Sequence, residues 1–297
     1  MIEQTATILE TKQLNKSYGS VVALEDVNLC FAEEKIYGVF GRNGAGKTTL
    51  LDIIASRIYA DQGQVVCLGQ NIVEQPQVVS DNCCYMPEKH YFPDRLKVKQ
   101  ILSHASQSFP HYDVAYAERL CRIFKLDKGK KYEQLSRGQQ SALRIVIGLA
   151  SQAAITIFDE PVLGLDAVAR DRFYLELIEA FSQNPRLFII ATHLIEEAAD
   201  LFNEAIILKN GQVLYQVPVD ELLASLFYVS GKTAQVDEFT QNRHVLSTET
   251  VNGLKTAVIE GDLTTETHVP GLKFSTLTMQ NLFIHLTNDD GDAEQSA

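Results

Sequence analysis

One short stretch constrains this chain more than any other: "IYGVFGRNGAGKTTLLDIIA", residues 36–55. Ile36 to Phe40 is an apolar run of β type, and an amphipathic helix follows from Thr49. Between them lies Gly41-Arg42-Asn43-Gly44-Ala45-Gly46-Lys47-Thr48, the pattern G-x-x-x-x-G-K-T. A strand, a glycine-rich turn of this spacing and a helix together make a phosphate cradle, the P-loop. The glycines let backbone N–H groups crowd around phosphate oxygens. Lys47 supplies a mobile cation for the β- and γ-phosphates, and the Thr48 hydroxyl is placed to ligate Mg²⁺. Gly41 to Thr49 are therefore the nucleotide-binding candidates, and the expected architecture is α/β with a parallel core sheet.

About 110 residues later, "AAITIFDEP" (153–161) runs apolar without interruption and ends in two carboxylates. Runs of this kind are buried parallel strands, and parallel sheets bind ligands at the carboxyl ends of their strands. Asp159 and Glu160 are thus expected beside the P-loop. Asp159 would hold Mg²⁺, directly or through water, and Glu160 would orient and polarise an attacking water. A second anion site precedes them. In "LSRGQQ" (135–140) Ser136 is a helix N-cap ahead of "SALRIVIGLA", and helix N-termini attract anions.

Taken in order, these motifs resemble those of the ATP-binding-cassette (ABC) ATPases. The family signature L-S-G-G-Q reads here Leu135-Ser136-Arg137-Gly138-Gln139. "EPVLGLD" (160–166) resembles the D-loop, with Asp166 as its carboxylate. "IIATHLIEEA" (189–198) resembles the switch region, with His193 as its histidine, and "KSYGS" (16–20) resembles the adenine-stacking loop, with Tyr18 as its aromatic. The resemblance covers about residues 5–216. It implies a P-loop cassette with a parallel core sheet, an antiparallel β subdomain and a helical signature subdomain at about 85–150. It also implies head-to-tail pairing of two ATPase subunits, so that Ser136, Gly138, Gln139 and Asp166 serve the partner's ATP while Lys47, Glu160 and His193 act on their own. A second ATPase subunit and an integral-membrane permease are the implied partners, and ATP and Mg²⁺ the implied ligands.

Two positions depart from the family pattern. Arg137 replaces the first signature glycine, either facing solvent or adding a cation near phosphate. In "CYMPEKHYF" (84–92) Glu88 stands where a Gln is usual, and either side chain offers an oxygen to Mg²⁺ or water. The Pro-Glu form resembles members that work with a separate permease, often as exporters. The reading is therefore the ATP-hydrolysing motor of an exporter. The alternatives are an importer ATPase or a non-transport ABC ATPase acting on ribosomes or DNA.

Composition narrows these choices. A net charge of −12 argues against nucleic-acid binding and against direct docking on anionic lipid. Neither a signal peptide nor an apolar run long enough to span a membrane is read, so a peripheral position on the cytoplasmic face is expected. Five cysteines without a C-x-x-C argue against a disulfide framework and fit a reducing compartment; the adjacent pair Cys83–Cys84 reads as core rather than metal site. "AIILKNGQVLYQ" (205–216) reads as a hairpin turning at Asn210-Gly211 and closes a cassette of residues 1–216. Residues 217–287 read as a small α+β extension with a helix at 219–226, strands around Asn252-Gly253 and an amphipathic helix at 276–287. The acidic end, 288–297, reads as disordered.

Overall fold

The computed structural model describes residues 7–89, 92–263 and 269–287. The chain opens with two long antiparallel strands, β1 (Thr7–Tyr18) and β2 (Val21–Ala32), and then dives into β3 (Ile36–Phe40), which is buried on both faces. Helix α1 (Lys47–Ile54) follows, starting two residues earlier than the sequence pattern indicates, with Gly46 as its N-cap. Next come β4 (Gln62–Cys67), β5 (Gln70–Asn71), α2 (Gln77–Asn82) and β6 (Cys83–Met86). A helical stretch comprises α3 (Val98–Ser108), α4 (Val114–Ile123) and α5 (Arg137–Ala150). Strand β7 (Ile155–Asp159), helix α6 (Ala167–Gln183), strand β8 (Leu187–Ala191) and the short helix α7 (Ile195–Ala198) come next. The chain continues through β9 (Glu204–Lys209), β10 (Gln212–Pro218), α8 (Val219–Ala224), β11 (Leu226–Lys232), α9 (Thr233–Thr240), β12 (Val245–Val251), β13 (Leu254–Glu260), β14 (Lys273–Thr276) and α10 (Met279–Thr287).

Among the described residues these strands form three sheets. The central one has the order β10-β9-β3-β8-β7-β6, parallel throughout except for the β10 edge. Its inner strands β3, β7 and β8 are buried throughout and almost wholly apolar, as burial from both sides requires. Phe40, Phe158, Phe188 and Ile207 face a core shared with α3 to α6. Val39, Ile157, Ile189 and Leu208 face the other core, shared with α1 and the antiparallel sheet β2-β1-β4-β5. The adjacent cysteines divide between the two sides: Cys84 sits in the first core and Cys83 packs against the second. Burial pushes the Cys84 thiol up to about 12 and Cys83 up as well, so neither presents a ready thiolate.

The Asn210-Gly211 turn joins β9 to β10 with both φ angles positive, 51° and 81°, the pairing a type I′ hairpin demands. Asn252 and Gly253 make the same turn between β12 and β13, with φ of 51° and 79°. The third sheet, β12-β13-β11-β14, has its own small core of Phe227, Val229, Val236, Ala257, Ile259 and Leu272. Val258 of that sheet, and Met279, Leu282 and Leu286 of α10, belong instead to the same core as Ile195 and Ala198 of α7. The last sheet thus packs on the rest of the chain through α10 and α7. Helix α10 begins at Met279 rather than Thr276, and the acidic end lies outside the described residues.

Candidate nucleotide site

Between β3 and α1 the backbone turns through positive φ at Gly44 (86°) and Gly46 (102°). At Gly46 a side chain is excluded twice over, because a Cβ would lie 2.4 Å from the Ala23 carbonyl oxygen. Lys47, the first helical residue, folds back over the loop. Its Nζ donates to the Gly41 carbonyl at 2.6 Å and to the Arg42 carbonyl at 3.3 Å. Burial lowers its pKa, opposed by the negative charges of Glu160, Asp159 and Glu88. A buried cation held by neutral carbonyls has a stronger partner in phosphate oxygens.

The parallel register places the end of β7 beside the P-loop. Thr48 Oγ1 donates to Asp159 Oδ2 at 2.8 Å. Burial pushes the Asp159 carboxyl up to about 6; the Thr48 bond and Lys47 pull it down, and Glu160 and Glu88 add to the rise. Glu160 has φ of 50°, a left-handed conformation that costs a non-glycine residue roughly 1–3 kcal/mol. Its N–H donates to the Ala191 carbonyl at 2.9 Å, so the last residue of β8 holds the turn. The Glu160 carboxylate is then 2.8 Å from His193 Nδ1, at the end of the same strand.

The raised Asp159 carboxyl has a consequence for stability. A native state that keeps its proton to about pH 6 has an advantage at low pH that is lost as pH rises through that value. In the ligand-free protein, Asp159→Asn should therefore raise the thermal midpoint relative to wild type by about 2 °C more near pH 7.5 than near pH 5. A difference that does not change with pH would contradict the burial cost assigned to this charge.

Lys47, Thr48, Asp159, Glu160 and His193 are thus brought together, with half-buried Glu88 in electrostatic reach of Lys47 and Asp159. Arg42, Asn43, Gly44 and Thr48 line the exposed side, and Tyr18 is about half exposed, with Lys16 Nζ 5.5 Å from its ring centre. The remaining sequence candidates bond elsewhere. Ser136 Oγ accepts from the Gln139 N–H and Gln139 Oε1 from the Ser136 N–H, both at 3.2 Å, a capping box at the start of α5. Asp166 Oδ1 accepts from the Ala169 N–H at 2.8 Å and caps α6. Gly138 is fixed by close approach, since a Cβ there would meet the Gly164 carbonyl oxygen at 2.5 Å. Arg137, by contrast, is exposed in the first turn of α5. Among the described residues, the hydrogen bonds of Ser136, Gln139 and Asp166 stay within these two helix starts, leaving their outward faces open.

Sequence reasoning missed two polar residues on the next turns of α5. Arg144 is only 5 % exposed; its Nη1 donates to the Pro87 carbonyl and its Nη2 to Ser141 Oγ at 2.8 Å. Ser141 Oγ in turn donates to the Leu163 carbonyl at 2.6 Å. The available signal was a single Arg inside an otherwise apolar helical run.

Strand, P-loop, helix, and a buried strand ending in Asp-Glu beside a His together define a nucleoside-triphosphatase of the P-loop class. The comparisons with known proteins narrow that class. The family model described as ABC transporter matches residues 24–163. The ABC transporter ATP-binding protein YtrB of Bacillus subtilis (strain 168) is 32 % identical over 215 residues, covering 72 % of this chain and 73 % of its own length. The spermidine/putrescine import ATP-binding protein PotA of Fusobacterium nucleatum is 28 % identical over 240 residues, covering 75 % and 64 %. A solved ATP-binding subunit of an ABC transporter superposes with a TM-score of 0.66 at 26 % identity, covering 73 % of this chain and 92 % of its own. The chain belongs to the family of ABC transporter ATP-binding proteins, whose cassettes bind and hydrolyse ATP.

Proposed function

We propose that this chain is the motor of a transporter whose membrane path is a separate integral-membrane permease, and that it drives export. The observation that carries the motor reading is the pair of contacts at the carboxyl ends of β7 and β8: Thr48 with Asp159, and Glu160 with His193, beside the P-loop. ATP would lie with its adenine on Tyr18 and its phosphates in the cradle from Gly41 to Thr49. Lys47 would then leave the Gly41 carbonyl for the β- and γ-phosphates. Glu160 would take a proton from the attacking water while His193 holds the carboxylate in place and contacts the γ-phosphate.

The donor set fits Mg²⁺. Among the described residues no group of three or more His, Cys, Asp or Glu side chains could hold a metal ion alone. Mg²⁺ is usually bound by one or two protein oxygens plus substrate phosphates and water. Thr48, Asp159 and Glu88 would supply the hard oxygens, and the ion would supply positive charge against the phosphates.

Two cassettes are proposed to pair head to tail, as a homodimer or with a related ATPase. Each would present Ser136, Gly138, Gln139 and Asp166 to the nucleotide on its partner. The exposed start of α5 supports this, because its N-terminal dipole suits a γ-phosphate arriving from outside, while Asp166, whose carboxylate caps α6, would be presented beside it. Net charge of −12 favours neither nucleic acid nor direct lipid binding. Among the described residues no helix is long and apolar enough to cross a membrane. A peripheral place on the cytoplasmic face, held by the permease, follows from that proposal.

Export rests on the Pro87-Glu88 form alone, and the import name of one relative keeps the opposite direction as the second reading. Direction is read in vesicles carrying the permease with the cassette outside. ATP added outside should then move substrate into the lumen; ATP-driven loss from the lumen would make the system an importer.

A further inference from the structure

Arg144 lies in the core face of α5 with its guanidinium buried, and among the described residues it forms no ion pair at bonding distance. Its two Nη atoms donate to the Pro87 carbonyl and to Ser141 Oγ, which itself donates to the Leu163 carbonyl. Pro87 immediately precedes Glu88, and Leu163 immediately precedes the Gly164 turn that touches Gly138. One turn of α5 therefore grips two loops: the one that carries Glu88 and the one that leads from Glu160 to Asp166.

Two carboxylates of the nucleotide site act on this guanidinium. Burial disfavours its positive charge; Tyr132, then Asp159 and Glu88, and last Tyr85 favour it. Glu88 and Asp159 in turn repel each other. A carboxylate at 88 thus adds negative charge beside Asp159, and a buried cation one residue from its backbone offsets it. A fixed, buried charge of this kind is screened far less than a surface one. The planar fork also sets direction, since it holds a carbonyl and a hydroxyl at once.

We infer that Arg144 is the positioning residue for Glu88: from the signature helix it holds the Pro87 carbonyl, aims Glu88 at the Asp159 side of the site, and supplies the counter-charge that lets two carboxylates face one metal ion. This rests on the proposed role of Glu88 at the Mg²⁺ side of the site. Through Ser141 the same contact ties the Glu88 loop to the Leu163–Asp166 loop, so that a shift of α5 moves both together.

The test is a double-mutant cycle in the full chain, with Mg²⁺ and ATP as probes. Arg144→Met should lower kcat by about tenfold with KM for ATP changed by less than about threefold, because cradle and adenine contacts are untouched. Glu88→Gln alone sets the reference rate of the cycle, and whatever it loses reads the metal-side contribution of the carboxylate. In the Glu88→Gln background the Arg144→Met loss should shrink to about threefold or less, because the charge needing compensation is gone. An equal loss in both backgrounds would overturn the inference and reduce Arg144 to a scaffold residue. Should Arg144→Met not fold, Arg144→Lys carries the same cycle: it keeps the charge, so it should recover most of kcat if the counter-charge matters and none if only the fork's packing does. The Mg²⁺ concentration giving half-maximal rate separates the two claims. It should rise in Glu88→Gln; if it does not move, the metal role of Glu88 fails while the coupling of Glu88 to Arg144 is still decided by the cycle.

Discussion

Glu160→Gln should bind ATP as wild type does and hydrolyse it about 10²–10³-fold more slowly, or worse. The expectation follows from where the chain puts this side chain. Glu160 is the first residue beyond β7, held at φ of 50° by a bond to the Ala191 carbonyl and paired with His193 at 2.8 Å. An amide fits that space and can accept a hydrogen bond, but it cannot accept a proton from water. Binding should survive because Lys47, Thr48 and the glycine backbone are unchanged. The stalled variant should then accumulate as an ATP-bound dimer, visible by size-exclusion chromatography with ATP and absent with ADP. Near-normal turnover in Glu160→Gln would remove Glu160 from the role of base.

Much of this site was legible because its chemistry demands particular residues in particular places. A phosphate cradle needs glycines at Gly44 and Gly46, where φ is positive, and no other residue satisfies those positions without strain. The same logic exposed the Asn210-Gly211 hairpin. A carboxylate pair at the end of an apolar strand, and a Ser capping an apolar helix, were readable for similar reasons. Less was legible where packing rather than local chemistry decides. Strands β1 and β2 carry register shifts that break period-two alternation, so their length does not show in the pattern. Strand β11 begins at Leu226, where the sequence pattern still reads as helix, and its partners β13 and β14 lie far along the chain. The role of Arg144 was hidden because a buried Arg is recognised only once the carbonyl it serves is in view.

The second large effect concerns the division of one ATP site between two chains. Lys47→Ala should abolish turnover, about 10²-fold or more, by removing the cation from the cradle. Ser136→Arg should do the same by placing bulk and charge at the start of α5, where the N-terminal dipole favours an anion. Mixed together, the two inactive proteins should regain activity. In a mixed head-to-tail dimer one site carries both lesions and the other carries none. With random pairing, half of the dimers are mixed and each has one working site, so about a quarter of wild-type activity is the ceiling. Tight coupling between sites lowers that ceiling, so ATP occupancy of the mixture is measured alongside: it should exceed that of Lys47→Ala alone. No recovery, with dimers formed and ATP bound, would place both residues in one site of one chain.

Closure of one chain's signature helix on the P-loop of another would bring Ser136 and Asn43 of different chains together, and crosslinking reads that approach. Asn43→Cys and Ser136→Cys are made in separate chains, each in a Cys30→Ser background because Cys30 is the exposed native thiol among the five free cysteines. Both substituted positions are exposed. Mixed with Mg²⁺ and ATP in the Glu160→Gln background, the two chains should form an interchain disulfide, and should form little without nucleotide. A chain carrying both cysteines should give dimers and not an internal bridge. A bridge formed within a single monomer, or one equally abundant without ATP, would contradict the composite site.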